Sequence, residues 1–144
     1  MEINYFDSVQ RVKREYNRIL EPVCQQWSLT RNEVDILLFL HNNPEFDRAA
    51  DIVTGRGIAK SHVSLSVNTL EQKGYLDRIT DPVDRRTIHL KLTEASSPIT
   101  QQARFLQQKF FAFLHQDITP EEMETWRTVA KKIEINIQNL VNLK

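Results

Sequence analysis

The chain has 144 residues, 40% hydrophobic and 26% charged, and its 19 Lys/Arg balance 19 Asp/Glu to a formal net charge of zero. That length supports a single domain with a real core, and the balance excludes a polycation that would hold nucleic acid through bulk charge. Three glycines are too few for the turns of a β-sandwich or barrel, and a lone cysteine, Cys24, leaves no internal disulfide and fits a reducing compartment. No stretch approaches the ~20 apolar residues that cross a bilayer, and the N-terminal MEINYFDSVQRVKREY has no apolar signal-peptide core. A cytoplasmic protein with no membrane partner is expected. Charge placement says more than the total. Residues 1–53 carry six Lys/Arg against nine Asp/Glu, residues 54–91 carry seven against four, and residues 92–144 carry six against six. The positive excess therefore falls in the middle of the chain, as a footprint for phosphates would require.

In chain order, a helix is predicted over 3–26, where Tyr5, Val9, Val12, Tyr16, Ile19, Leu20 and Val23 recur at three- and four-residue steps, with Pro22 near its end as a possible kink. Thr30 and Glu33 have capping-box spacing and open a second helix bearing Val34, Leu37, Leu38 and Leu40, which stops at His41-Asn42-Asn43-Pro44. A short helix is expected over 47–54 with Ile52 and Val53 inward, followed by a turn marked by Gly55 and Gly57. A helix over 59–73 buries Val63, Val67 and Leu70 and ends at Gly74. Strands at 75–80 and 87–92 flank a short loop, giving a hairpin. Beyond Thr93 a helix starts near Pro98 with the stripe Ile99, Ala103, Leu106, Phe110 and Phe113. Thr119-Pro120-Glu121-Glu122 opens a last helix with Met123, Trp126, Ala130, Ile133, Ile137, Leu140 and Val141. The fold class is mainly α with a small β-hairpin wing. Phe105, Phe111 and Ile135 fall off these stripes, and the long terminal helices hold more large apolar groups than one small chain buries. A second copy covering them is the expectation, and packing within one chain is the alternative.

Residues 60–91 carry the chemistry. With Val63 and Val67 facing inward at ~100° per residue, Ser61, Leu65 and Asn68 point outward, flanked by His62, Ser64 and Thr69. Leu65 is expected to stand exposed among Ser61, Ser64, Ser66 and Asn68. Short hydroxyls and an amide suit the hydrogen-bonding edges of bases, and an exposed leucine suits a thymine methyl. The alternative is a merely solvated face, but such a face is ordinarily built from Glu and Lys, which favour helix more than serine does. Lys60 stands near the helix start as a phosphate contact. In the loop Asp81-Pro82-Val83-Asp84-Arg85-Arg86, an arginine could enter a narrow minor groove, with the Asp84 carboxylate holding its guanidinium in place. The alternative there is a surface ion pair of little energetic weight.

These segments resemble the MarR family of winged-helix transcription regulators. The resemblance rests on Asp51-Ile52-Val53, Gly57-Ile58, Lys60-Ser61-His62-Val63-Ser64, Leu70-Glu71-Gln72-Lys73-Gly74-Tyr75-Leu76, the wing at 81–86, and Leu90-Lys91-Leu92-Thr93. It implies a homodimer made by helices at 1–28 and 98–144, and a winged helix-turn-helix region at 30–93. It implies a pseudo-palindromic double-stranded DNA operator, a repressor role, and Arg85 and Arg86 reaching a minor groove beside Asp84. Two departures stand out. Glu94-Ala95-Ser96-Ser97-Pro98 replaces the glycine usual after the Leu-Thr pair, so an irregular helix start is expected there. Ala59 stands where a hydroxyl cap is common.

Family members often respond to small aromatic or phenolic effectors in a cleft, and Tyr16, Trp27, Phe39 and His41 are candidate lining residues, with Phe6 and Phe46. Aromatic residues at helical spacing are more often packing. Cys24 could sense oxidants, as in peroxide-sensing relatives, or be a small buried hydrophobe. Histidines at 41, 62, 89 and 115 lack zinc-site spacing, and no cofactor is expected. Ser61 and His62 diverge by ~100° on a helix and cannot pair as nucleophile and base, so an enzyme is the poorest fit. The competing reading from another class is a winged-helix module that binds a protein through the same face.

Overall fold

The computed structural model describes residues 4–143. Their elements are α1 (Tyr5–Trp27), α2 (Arg31–Asn42), α3 (Ala49–Arg56), α4 (Lys60–Gln72), β1 (Leu76–Thr80), β2 (Ile88–Leu92), a 3-10 turn (Glu94–Ser96), α5 (Ser97–Leu114) and α6 (Pro120–Asn142). This is the predicted mainly helical chain with one hairpin. The chain divides into two compact units between Phe110 and Phe111.

Local chemistry sets the boundaries. The Asn4 side-chain oxygen accepts from the Phe6 N–H at 2.9 Å and starts α1, which runs through Pro22 to Trp27 and ends on Ser28 at φ 53°. The Thr30–Glu33 box is formed in both directions, at 2.9 and 3.2 Å. The helix it opens, α2, is the centre of the fold: Val34, Ile36, Leu37, Leu38, Phe39 and Leu40 are all buried, so apolar groups cover it nearly all round. In the same core are Leu20 and Val23 from α1, Ile52 from α3, Val63, Val67 and Leu70 from α4, Leu76 and Leu90 from the hairpin, and Ile99 and Ala103 from α5. Each fully buried aliphatic side chain contributes about 1.5–3 kcal/mol.

Two details of the helix-turn-helix differ from expectation. The third helix begins at Ala49 rather than 47: Arg48 is extended, with φ −103° and ψ 153°, and ahead of it the Asp47 carbonyl accepts from the Leu90 N–H at 2.7 Å. Gly55 lies inside α3 rather than in the turn. A Cβ there would stand 2.5 Å from a ring carbon of Phe39, so the residue lets α3 approach α2 closely. The turn belongs to Gly57, whose φ of 64° is the left-handed conformation glycine adopts freely.

In the hairpin Leu76 pairs with Leu92 and Thr80 with Ile88. Only Leu76 and Leu90 are fully anchored, while Ile79 and Ile88, both 45% exposed, carry the hairpin out beyond the core. After it, Glu94–Ser96 forms the irregular 3-10 start, with the Ser96 hydroxyl donating to the Thr93 carbonyl at 2.7 Å. The capping box of α6 is formed by Thr119 and Glu122. Its expected apolar stripe is not buried within the chain: Trp126, Ile137, Leu140 and Val141 are each more than half exposed, with Met123, Ala130 and Ile133 intermediate.

Candidate nucleic-acid interface

The outer face of α4 is built as the periodicity requires. Val63, Val67 and Leu70 point into the core, leaving Lys60, Ser61, His62, Ser64, Leu65 and Asn68 exposed, with Leu65 at 66%. Ser66 does not join that face. It is buried, because three residues after Val63 it returns to within about 60° of the inward direction. Thr69 is half-buried and donates its hydroxyl to the Leu65 carbonyl at 3.1 Å. Ala59 lends no side-chain oxygen to the first turn of α4, and that turn contains no carboxylate. The positive end of the helix is therefore uncompensated next to Lys60.

Arg78, which drew no attention in the sequence, ties this face to the hairpin. From β1 its guanidinium donates to Asn68 Oδ1 at 2.5 Å and to Glu71 Oε1 at 2.8 Å. A fork onto two residues three apart matches the rigid geometry of arginine.

The wing is held by carboxylates. Asp81 Oδ1 accepts from the N–H groups of Val83 and Asp84, both at 2.8 Å. Asp84 Oδ1 accepts from the Arg86 N–H at 3.1 Å, and its Oδ2 from the Thr87 hydroxyl at 3.0 Å. Asp84 thus orients the wing through its backbone rather than by gripping a guanidinium as expected. Among the described residues neither Arg85 nor Arg86 is in an ion pair, and both are exposed. At the base of the wing the His89 ring lies between two acids, Nδ1 2.8 Å from Asp47 Oδ1 and Nε2 2.9 Å from Asp81 Oδ2. A neutral imidazole has a single N–H, so only the imidazolium satisfies both. The hydrogen bond to Asp47, then that to Asp81, push the His89 pKa up. The Asp84 N–H, then His89 and the Val83 N–H, hold Asp81 down at about 2.

Residues 27–87 match the MarR family model. Over that segment the chain is similar to the MarR family. Over most of the chain the fold is similar to that of reduced MarR from E. coli, 19% identical, with 92% of this chain and 98% of that one covered and a TM-score of 0.68. A MarR protein from Peptoclostridium difficile is 19% identical over 100% of this chain and 94% of its own, with a TM-score of 0.78. S. aureus MepR, solved in complex with DNA, is 18% identical over 94% of this chain and 99% of its own, with a TM-score of 0.76. At such identities the likeness is one of fold.

The candidate effector residues do not converge. Tyr16 accepts from Gln107 at 2.7 Å with its ring tilted against Phe110 at 5.4 Å, Trp27 donates to Gln102 at 3.2 Å, and His41 meets Arg104 at 3.3 Å. These polar contacts sew α1 and α2 to α5. Phe39 lies elsewhere, on an open groove of about 520 Å³ lined also by Asn42, Phe46, Thr54 and Arg56, whose guanidinium lies 5.7 Å from the Phe39 ring centre. Phe6 is exposed near the start of α1. Beside Tyr16, Arg31 pairs with Asp35 at 3.0 Å and donates to Asn17 at 2.9 Å. Burial pushes the Asp35 carboxyl up against the pull of Arg31. Burial likewise pushes the Cys24 thiol up, which disfavours the reactive thiolate. Among the described residues no His, Cys, Asp and Glu cluster could hold a metal ion, and no helix is long and apolar enough to cross a membrane.

Proposed function

We propose that this chain is a sequence-specific DNA-binding transcriptional regulator, acting as a homodimeric repressor on a pseudo-palindromic operator. In this reading residues 30–93 read DNA, with α4 in the major groove and the wing in the adjacent minor groove. The observation that carries it is an exposed face of short polar groups and Leu65 on α4, together with a wing whose two exposed arginines make no ion pair among the described residues. The MarR-family match and the fold shared with MepR, solved on DNA, support it. The helices at 1–28 and 98–144 are the dimerisation elements, and the support is their exposed apolar groups: Tyr5, Val9, Phe105, Phe113, Trp126 and Leu140. Residues 1–3 and 144 lie outside the described residues. A small aromatic effector acting on the Phe39–Phe46 groove, rather than on the dispersed Tyr16, Trp27 and His41, is the form of induction the geometry favours.

The test is selection of random and genomic DNA fragments by the purified protein at moderate salt, with Arg86→Ala alongside. Enrichment of a palindrome with half-sites about one helical turn apart is expected. Losing a charged contact worth about 1.5–3 kcal/mol weakens binding roughly tenfold or more per wing, while the dimer stays folded. Equal operator affinity of Arg86→Ala and wild type at physiological salt sinks the wing assignment.

A second reading, a winged-helix module that docks a protein, draws on two exposed apolar side chains on this surface, Leu65 at 66% and Val83 at 93%, and on the zero net charge. It expects weak DNA binding with little salt dependence. A steep salt slope, on the order of four or more phosphates, excludes it as the main role.

A further inference from the structure

We propose that Arg78 is a positioning residue for base recognition: by fastening the amide oxygen of Asn68 it makes Asn68 a reader of hydrogen-bond acceptors, guanine in preference to adenine. The inference rests on the DNA-reading assignment of α4 above.

Arginine carries five N–H donors and no acceptor, so the amide atom that faces it must be the oxygen. The usual ambiguity about which way an asparagine amide points is therefore resolved by chemistry. Arg78 Nη2 reaches Asn68 Oδ1 while Nη1 is held by Glu71 Oε1 at 2.8 Å. The ion pair fixes the guanidinium and the guanidinium fixes the amide. The Arg78 side chain keeps 33% of its exposure, and Asn68 is exposed beside it.

An unrestrained asparagine reads adenine bidentately, its oxygen accepting from N6 and its nitrogen donating to N7. That contact needs both ends of the amide turned toward one base edge. With Oδ1 drawn toward β1, the outward end of Asn68 is Nδ2, with two N–H donors. In the major groove guanine offers two adjacent acceptors, O6 and N7. Thymine offers O4, and adenine offers N7 beside a competing donor. Guanine is the base this arrangement fits best. Glu71 and Arg78 need not touch DNA to set that preference.

The experiment is the same DNA selection run on three full-length proteins: wild type, Arg78→Ala and Asn68→Asp. Wild type should enrich guanine at one symmetry-related pair of positions. Arg78→Ala frees the amide and should move the guanine-to-adenine ratio at that pair about tenfold toward adenine, with other positions unchanged. Asn68→Asp keeps an oxygen against Arg78 but turns a second oxygen outward. It should shift the same pair toward cytosine, whose N4 donates. A role in fold stability alone would lower affinity for all sequences equally and leave the base preference intact. If Arg78→Ala proves unfolded by circular dichroism, Asn68→Asp decides alone. Unchanged preference at every position in the folded variants, with the operator still bound, overturns the inference while leaving the DNA-reading assignment standing. Failure of wild type to enrich any sequence overturns that assignment and the inference with it.

Discussion

The base of the helix-turn-helix and the surface raised above it are held by different forces. In the base, Leu37, Ile52, Leu70 and Leu76 have no exposure at all. In the wing, Ile79, Val83 and Ile88 stand 45%, 93% and 45% exposed, and shape comes from carboxylates that each take more than one donor. Apolar burial in the base contributes several kcal/mol per side chain once cavity effects are counted. A single hydrogen bond on the surface contributes about 0.5–1.5 kcal/mol net. The difference separates two properties. The base determines whether the chain folds, and the polar contacts determine what the folded chain presents. A surface held this way can change its contacts without endangering the scaffold.

The largest effect that tests this division lies in the base. Leu37→Ala is expected to destabilise the protein by about 2–5 kcal/mol, read as a lower denaturant midpoint with the slope unchanged. Its DNA preference, measured where the variant is still folded, should match wild type. A Leu37→Ala protein with wild-type stability but an altered base preference would break the comparison outright.

Next in size is Asp84→Ala. It removes the acceptor of the Arg86 N–H and the Thr87 hydroxyl, both exposed, so neither group is stranded away from water. Stability should fall by no more than about 1 kcal/mol. Operator affinity should fall several-fold, since both wing arginines lose their fixed backbone. If Asp84→Ala bound as tightly as wild type and Arg86→Ala did not, the wing would work as a flexible charge rather than a shaped element. Thermal unfolding and binding isotherms on the same preparations separate the two.

Much of this architecture was legible in the sequence because its signals are local. The Thr30–Glu33 and Thr119–Glu122 boxes, the Val63–Val67–Leu70 stripe and the turn residues at 81–86 act over three or four positions, and each formed as the spacing required. What was not legible joins distant positions. Asp47 and His89 are 42 residues apart, and the Asp47 carbonyl is also taken by the Leu90 N–H, just ahead of the later start of α3. Arg78 looked like an ordinary strand residue, since nothing in its neighbours says that Asn68 and Glu71 lie across from it. Asp84 was recognised for the right segment with the wrong partner: a carboxylate beside two arginines invites an ion pair, but two residues back from an N–H in a tight turn it finds the backbone first. The α6 stripe has the helical period and yet stays exposed within the chain, because periodicity reports that a face is apolar and not what covers it.

The smallest effect sharpens the comparison most, because it concerns a polar contact that spans both regions. His89 joins Asp47, ahead of α3, to Asp81, which shapes the wing. Its pKa is raised above the ordinary 6.5, so the stabilisation it provides is complete below that pH and is lost as pH climbs through the raised value. Asp81 is lowered from 3.8 to about 2, so its share is present above 3.8 and disappears only as pH falls through about 2. The clamp is therefore whole between about pH 3.8 and 6.5, and its weak point is on the alkaline side. Once His89 is neutral, one of the two carboxylates faces a lone pair instead of an N–H and must move. Asp81 also holds the Val83 and Asp84 N–H groups, so the wing is the part free to rearrange. Operator affinity should decline modestly as pH passes through the His89 pKa, and His89→Asn should remove that dependence while keeping the fold. An NMR titration of the imidazole protons supplies the midpoint independently of DNA. A midpoint at or below 6.5 would mean that the two acids do not share a proton-bearing ring in solution. The polar layer would then be looser than its distances imply, and the wing would owe its shape to Asp81 and Asp84 alone.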